Sequence, residues 1–155
     1  MSSLSIVTEK DDRDRLVSFR MGTEVEKREI LEKYPRTRAV ISDNGYFVVS
    51  VIGDEIVGFL WAFKREIAAP IEREELFINV VEVIDPDLRC KGIASGMVNI
   101  VKSIAKAENA YQIRAYCDIR NVASHRLWVK NGFSINPCIM PNGTIPGSFV
   151  SYLCQ

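Results

Sequence analysis

Histidine is almost missing from this chain: His125 is the single one in 155 residues. With no second histidine or carboxylate at ligand spacing beside it, a zinc centre is not expected. Cysteine is sparse too, since Cys90, Cys117, Cys138 and Cys154 form no Cys-x-x-Cys pair, and the opening MSSLSIVTEKDD has no apolar stretch of signal-peptide length. A cytoplasmic protein with reduced thiols is therefore expected. Nine glycines and six prolines exclude collagen-like and low-complexity classes. Charge of one sign is lacking as well, because 20 Lys and Arg balance 20 Asp and Glu and no stretch forms a basic stripe, so no nucleic-acid partner is expected. Nearly uncharged apolar runs such as residues 46–52 and 56–63 are far short of the roughly 20 residues that span a bilayer, so no membrane partner is expected either.

What is present is ordinary globular material: 47% hydrophobic and 26% charged residues. A chain this long buries roughly 70% of its unfolded surface and needs neither metal nor disulfide to hold a core. No repeat or linker divides it, so residues 1–155 are expected to form a single domain. Charge is uneven along it: residues 1–75 carry 12 basic and 15 acidic side chains, and residues 76–155 carry 8 and 5. An anionic ligand would favour the second half.

Residues 5–7 read as a short strand, and residues 11–20 and 23–34 carry helical spacing. Thr23 and Glu26 have capping-box spacing, and Pro35 marks a stop. Two runs rich in Val, Ile, Phe and Trp, residues 46–52 and 55–63, meet at Gly53-Asp54 and predict an antiparallel hairpin. After a polar loop over 64–75, an apolar strand at 76–84 ends in Asp85-Pro86-Asp87, and helical spacing runs from Ile93 to Ala107. Residues 112–117 read as a strand and 121–130 as a helix, with Asn121 as N-cap and Gly132 just past its end. Residues 133–139 and 148–153 form a closing hairpin. A hairpin feeding a βαβ unit predicts an α/β fold with a mixed, mostly antiparallel twisted sheet of about seven strands flanked by about four helices.

Chemistry concentrates where the 76–84 strand hands over to the long helix. The segment Arg89-Cys90-Lys91-Gly92-Ile93-Ala94-Ser95-Gly96 places small residues at a helix start, whose unpaired N–H donors and positive dipole end suit a phosphate. Arg89 and Lys91 add two cations, and the turn reads as a pyrophosphate cradle. No Gly-x-x-x-x-Gly-Lys-Ser/Thr loop or Gly-x-Gly-x-x-Gly fingerprint competes with it. Arg-x-x-Gly-x-Ala alone also fits a helix start in which Gly92 and Gly96 simply let strand and helix pack.

Two motifs together resemble the GNAT (GCN5-related) N-acetyltransferase family. Arg89, Gly92 and Ala94 match its Arg/Gln-x-x-Gly-x-Gly/Ala loop, and Asn121, Ser124, Leu127, Lys130, Gly132 and Phe133 match its Asn-x-x-Ala/Ser-x-x-Leu-Tyr-x-Lys-x-Gly-Phe signature. The resemblance covers residues 40–135 well and residues 1–40 only in helix placement. It implies acetyl-CoA as co-substrate, without metal, and acetyl transfer to a primary amine of a small molecule or peptide. It implies that the amides of Cys90, Lys91, Gly92, Ile93, Ala94 and Ser95 hold the pyrophosphate beside Arg89. By the same resemblance, strand residues 80–84, with Val83 and Ile84, pair with the pantetheine, and Asn121 and Ser124 contact the same arm.

Direct transfer to an amine needs a base, an oxyanion donor and a proton for sulfur. Glu82, alone in the apolar run Val80-Val81-Glu82-Val83-Ile84, is the first candidate base: burial would raise its pKa. A Glu paired with an Arg or facing solvent reads equally well. Tyr116 and Asp118 are lesser candidates. Trp128 falls where the family has a tyrosine able to protonate the thiolate, and indole N–H is no useful acid. Tyr116, Ser124 or water takes that role, or the thiolate leaves unassisted, or the protein binds acyl-CoA without transferring it. His125 reads as exposed or cofactor-flanking, beside Arg126. Cys90 fills the loop while its N–H faces phosphate, and Cys117 reads as core. Phe59, Trp61 and Phe63 alternate along one strand, as core or as a pocket wall. Glu72, Glu74 and Glu75 belong to a solvated loop or draw a cationic amine. The protein is expected to be a monomer or a homodimer paired through the edge of the closing hairpin.

Overall fold

Gly53 adopts φ +60, the left-handed conformation that costs glycine nothing, and turns β3 (Tyr46–Ile52) into β4 (Glu55–Ile67). The hairpin pairs Tyr46 with Ala62 and Phe47 with Trp61, and its apolar side chains are buried along most of its length. In this computed structural model the structure describes residues 6–10, 16–139 and 146–154. These fall into two compact units: Met1–Phe63 with Asn79–Val101, and Lys64–Ile78 with Lys102–Gln155.

In the first unit, β1 (Ile6–Lys10), β2 (Leu16–Met21), β3 and β4 follow one another as antiparallel neighbours. β2 overturns the helix expected over 11–20, of which residues 11–15 lie outside the described residues. Leu16, Val17 and Phe19 fit a helix face, but only Val17 and Phe19 are buried, and they alternate with the half-exposed Ser18: the period is two. Pairing with β3 across five residue pairs outweighs the helical spacing. The α-helix α1 (Glu24–Lys33) starts at the expected capping box, with Thr23 Oγ1 accepting from Glu26 N and the Glu26 carboxylate accepting from Thr23 N. It ends at Tyr34, and Pro35–Ala39 form a single 3-10 turn. Ile30, Ile41, Phe47, Val49, Phe59 and Trp61 pack as one cluster, each contributing about 1.5–3 kcal/mol by burial.

The strand β5 (Arg73–Val83) and α2 (Ile93–Ala107) follow, joined by a 3-10 turn at Pro86–Leu88. Ile93, Met97, Ile100 and Val101 are buried, as the spacing predicts. At Gly96 the helix meets β2 so closely that a Cβ would sit 2.2 Å from Phe19 Cζ.

In the second unit β5 pairs parallel with β6 (Gln112–Asp118) through Leu76↔Ile113 and Phe77↔Arg114. β6 pairs antiparallel with β8 (Pro146–Leu153), which pairs with β7 (Ser134–Ile139). The helix α3 (Val122–Lys130) has Asn121 as its N-cap, and Gly132 follows it at φ +82. The loop of the closing hairpin lies mostly outside the described residues.

The expected polar loop over 64–75 is also corrected. β4 continues to Ile67 and β5 begins at Arg73, leaving a short connection. Glu75 is 0% exposed, which its charge allows because its carboxylate is fully partnered. Arg65 Nε and Nη2 donate to Oε1 at 3.0 and 2.8 Å, Gln112 Nε2 donates to Oε2 at 2.7 Å, and Arg114 Nη2 donates to Oε1 at 2.8 Å. The class is α/β with a mixed, mostly antiparallel sheet. The described residues hold eight strands and three α-helices, and the exchange against the expected counts starts at β2.

Candidate active site

In the first unit, alternate residues at and just beyond the end of β5 face an open cavity of about 540 Å³. Val80, Glu82 and Ile84, with Phe59 of β4, form one wall; Lys33, Tyr34, Arg36 and Val40, at and beyond the end of α1, form another. The second wall is held to β5 by Asn79, whose Nδ2 donates to Val40 O at 2.9 Å. Beside it, Ile84 N donates to Val57 O at 2.9 Å. Phe59 therefore serves both readings made of it, packed 1% exposed in the core and turning one surface to the cavity, while Trp61 is core. Sequence reasoning missed Lys33, Tyr34, Arg36 and Val40; no motif marks them.

The burial expected of Glu82 is not found. Its side chain is 47% exposed, and Oε1 lies 3.5 Å from Arg89 Nη2. Arg89 Nε also donates to Val83 O at 3.4 Å. Glu82, Val83, Ile84 and Arg89 are thus brought to one place at the end of β5.

Beyond Arg89 the chain curls tightly. Cys90 and Gly92 sit at φ +61 and +85, which glycine adopts freely and cysteine only with strain. The Cys90 side chain is exposed rather than filling the loop. The first bond of the α2 ladder runs from Gly96 N to Gly92 O at 2.9 Å, so the amides of Ile93, Ala94 and Ser95 precede that ladder. The two small-residue readings divide between two glycines: Gly92 serves the backbone turn and Gly96 serves packing against Phe19.

The remaining candidates lie in the second unit. Asn121 Oδ1 accepts from Ser124 N at 3.0 Å, and Ser124 Oγ accepts from Trp128 Nε1 at 3.0 Å. Trp128 is buried against Phe133, its indole hydrogen committed to Ser124. The Tyr116 ring packs 5.3 Å from Phe77 and 5.1 Å from Phe149. Asp118 is gripped by Arg120 through Oδ1 and Oδ2, which holds its pKa down to about 2 and makes it a feeble base. His125 is half-buried beside the exposed Arg126. Its Nδ1 lies 2.8 Å from Asn121 O and therefore carries the hydrogen, so Nε2, 2.8 Å from Ser148 Oγ, accepts from that hydroxyl. Cys117 is buried, as expected, 3.8 Å from His125 Nδ1.

In the first unit an apolar strand thus runs through a left-handed loop into a helix start beside an open cavity. The model of the acetyltransferase (GNAT) family matches residues 12–133, and the chain belongs to that family. NAA60 of Arabidopsis thaliana, solved with a bisubstrate analogue, is 15% identical; 88% of this chain and 97% of that chain are covered at a TM-score of 0.70. The yncA protein of Salmonella typhimurium, solved with its cofactor acetyl-CoA, is 16% identical over 90% of this chain and 94% of that one, also at 0.70. The IAA acetyltransferase of Bacillus cereus is 17% identical over 88% and 99%, at 0.65. These identities make the likeness one of fold. No curated protein is a detectable match to the sequence. Among the described residues no helix is long and apolar enough to cross a membrane, and no group of three or more His, Cys, Asp or Glu could hold a metal ion.

Proposed function

We propose that the protein is a cytoplasmic N-acetyltransferase, a single domain over residues 1–155, that moves an acetyl group from acetyl-CoA directly to a primary amine. The observation that carries this is the loop after β5. Left-handed Cys90 and Gly92 turn the chain so that the amides of residues 93–95 stand ahead of the helix ladder, a fit for a pyrophosphate. Family membership and the acetyl-CoA held by yncA support the same ligand. The four free cysteines support a reducing compartment.

Bound acetyl-CoA would supply a thioester carbonyl. Cys90, Lys91, Gly92, Ile93, Ala94 and Ser95 would hold its pyrophosphate through backbone amides, with Arg89 as a cation nearby, and Val83 and Ile84 would bond the pantetheine as an added strand does. Asn121 and Ser124 would donate their amide and hydroxyl hydrogens, since their oxygens already accept in the α3 cap. Glu82, on the cavity wall, would take a proton from the acceptor ammonium, directly or through water. The freed nitrogen would then attack the carbonyl carbon: as the C–N bond forms and the C–S bond breaks, the nitrogen would shed its surplus proton to water and the sulfur would leave as the thiolate. Tyr116 is the proposed proton donor to sulfur.

Calorimetric titration with acetyl-CoA, with ATP as control, tests the cradle: micromolar binding of the first alone is expected. Glu82→Gln should then lower turnover at least tenfold with acetyl-CoA affinity little changed; a variant that turns over within twofold of wild type would remove Glu82 from the base role. Trp128 favours a second reading, a non-catalytic acyl-CoA-binding domain, because its hydrogen is spent on Ser124. Acetyl-CoA binding without CoA release to any amine would select it.

A further inference from the structure

We infer that the acceptor is an apolar amine carrying a carboxylate, bound with its amine toward Glu82 and its carboxylate toward Lys33 and Arg36. This rests on the acetyltransferase reading and names the substrate class of the same site. The cavity is large enough for a small molecule, at about 540 Å³ against roughly 300–1,000 Å³ for such sites. Its walls are chemically unlike. Tyr34, Val40, Phe59, Val80 and Ile84 give it an apolar body, with the Tyr34 and Phe59 rings 6.1 Å apart.

Two cations stand on the α1 side, and Lys33 Nζ lies 5.6 Å over the Tyr34 ring, so its charge is held close to the cavity wall. Glu82 is the one acid among the described residues that line the cavity, and Arg89 already stands 3.5 Å from it. The charges that face the site sum to a positive surplus. A polyamine would be repelled, and a simple hydrocarbon amine would leave both cations unanswered. Glu75 offers no remedy, since it is buried and bound by two arginines in the second unit. An amine with one carboxylate at its far end satisfies both walls at once, and the apolar surface between them selects a hydrophobic body.

The test separates this from the chemistry by measuring binding of the acetylated products. The full chain is titrated calorimetrically with N-acetyl-L-phenylalanine and N-acetyl-4-(aminomethyl)benzoate, each against its uncharged carboxamide, in the presence of CoA. At least one free acid should bind ten times or more tighter than its amide. The Lys33→Ala/Arg36→Ala double variant should shrink that ratio below threefold with CoA affinity unchanged; both side chains are exposed, so the fold should survive. Amides that bind as well as the acids, a preference that survives the double variant, or no binding of either product would overturn the inference. Titration with CoA alone tells the two failures apart: CoA binding without acid preference sinks only the acceptor class, whereas absent CoA binding sinks the acetyltransferase reading.

Discussion

Replacing Glu75 by glutamine should be the most destabilising conservative change of a charged residue in this protein. The substitution keeps the volume, so no cavity term enters. What it removes is the one negative charge that answers Arg65 and Arg114 at contact distances of 2.6–3.0 Å. Breaking a buried ion pair from one side costs about 3–5 kcal/mol, because the other charge is left behind. Here the arginines are 31% and 26% exposed, and each lies over a ring, Arg65 over Phe77 at 4.2 Å and Arg114 over Phe149 at 4.3 Å. They can recover hydration and keep their cation–π contacts, which places the loss at the lower end, about 3 kcal/mol. For a chain of this length that is a fall of roughly 6–12 °C in Tm, at about 2–4 °C per kcal/mol. The assay is thermal and urea unfolding at pH 7, with Glu74→Gln as control. Glu74 is one residue away but 54% exposed, 3.5 Å from a lysine that also pairs with Glu108, and its loss should cost about 0.5 kcal/mol or less. A Glu75→Gln variant within 1 kcal/mol of wild type, or a Glu74→Gln variant as damaged, would refute the reasoning.

At Gly96, alanine gains about 1 kcal/mol of helix propensity but forces a Cβ to 2.2 Å from a buried ring, an overpacking cost of about 1–3 kcal/mol. Gly96→Ala should therefore lose about 1 kcal/mol in urea melts and regain it with Phe19→Leu; a stabilised single variant would mean that the ring moves aside freely. Gly92→Ala strains φ +85 and should weaken acetyl-CoA binding at least fivefold, which a titration of the variant at unchanged secondary structure would check. Hydrogen bonds from Arg20 hold the Glu26 carboxyl down to about 2. Its folded pKa lies below its unfolded one, so the pair's stabilisation is present above about pH 4.5 and fades as pH falls toward 2. At the protein surface this is screened to about 1 kcal/mol. Arg20→Met should cost that much at pH 7 in chemical denaturation, and most of the gap to wild type should have closed by about pH 2; a gap that stays constant would assign the effect to packing.

Much of this protein is decided within short stretches of chain. Gly53-Asp54 between two β-branched and aromatic runs leaves little but a hairpin, Thr23 with Glu26 and Asn121 with Ser124 close local rings at helix starts, and the small residues around Gly92 mark the start of α2. Each signal is carried by residues at most a few positions apart, which is why it can be read in order. The α/β class follows from these. Residues 16–21 could not be resolved that way, because three apolar side chains in four positions satisfy either period until β3 supplies a partner. Glu75 reads as one acid among several, and only contacts with residues 10 to 39 positions away turn it into a buried anion. His125 likewise finds a partner for Nε2 only in Ser148, 23 residues on. The cavity is the clearest case: Lys33 and Arg36 are unremarkable at a helix end, and only the fold sets them on one cavity with Glu82, since a charge pattern in space is a property of the folded chain and not of its spacing.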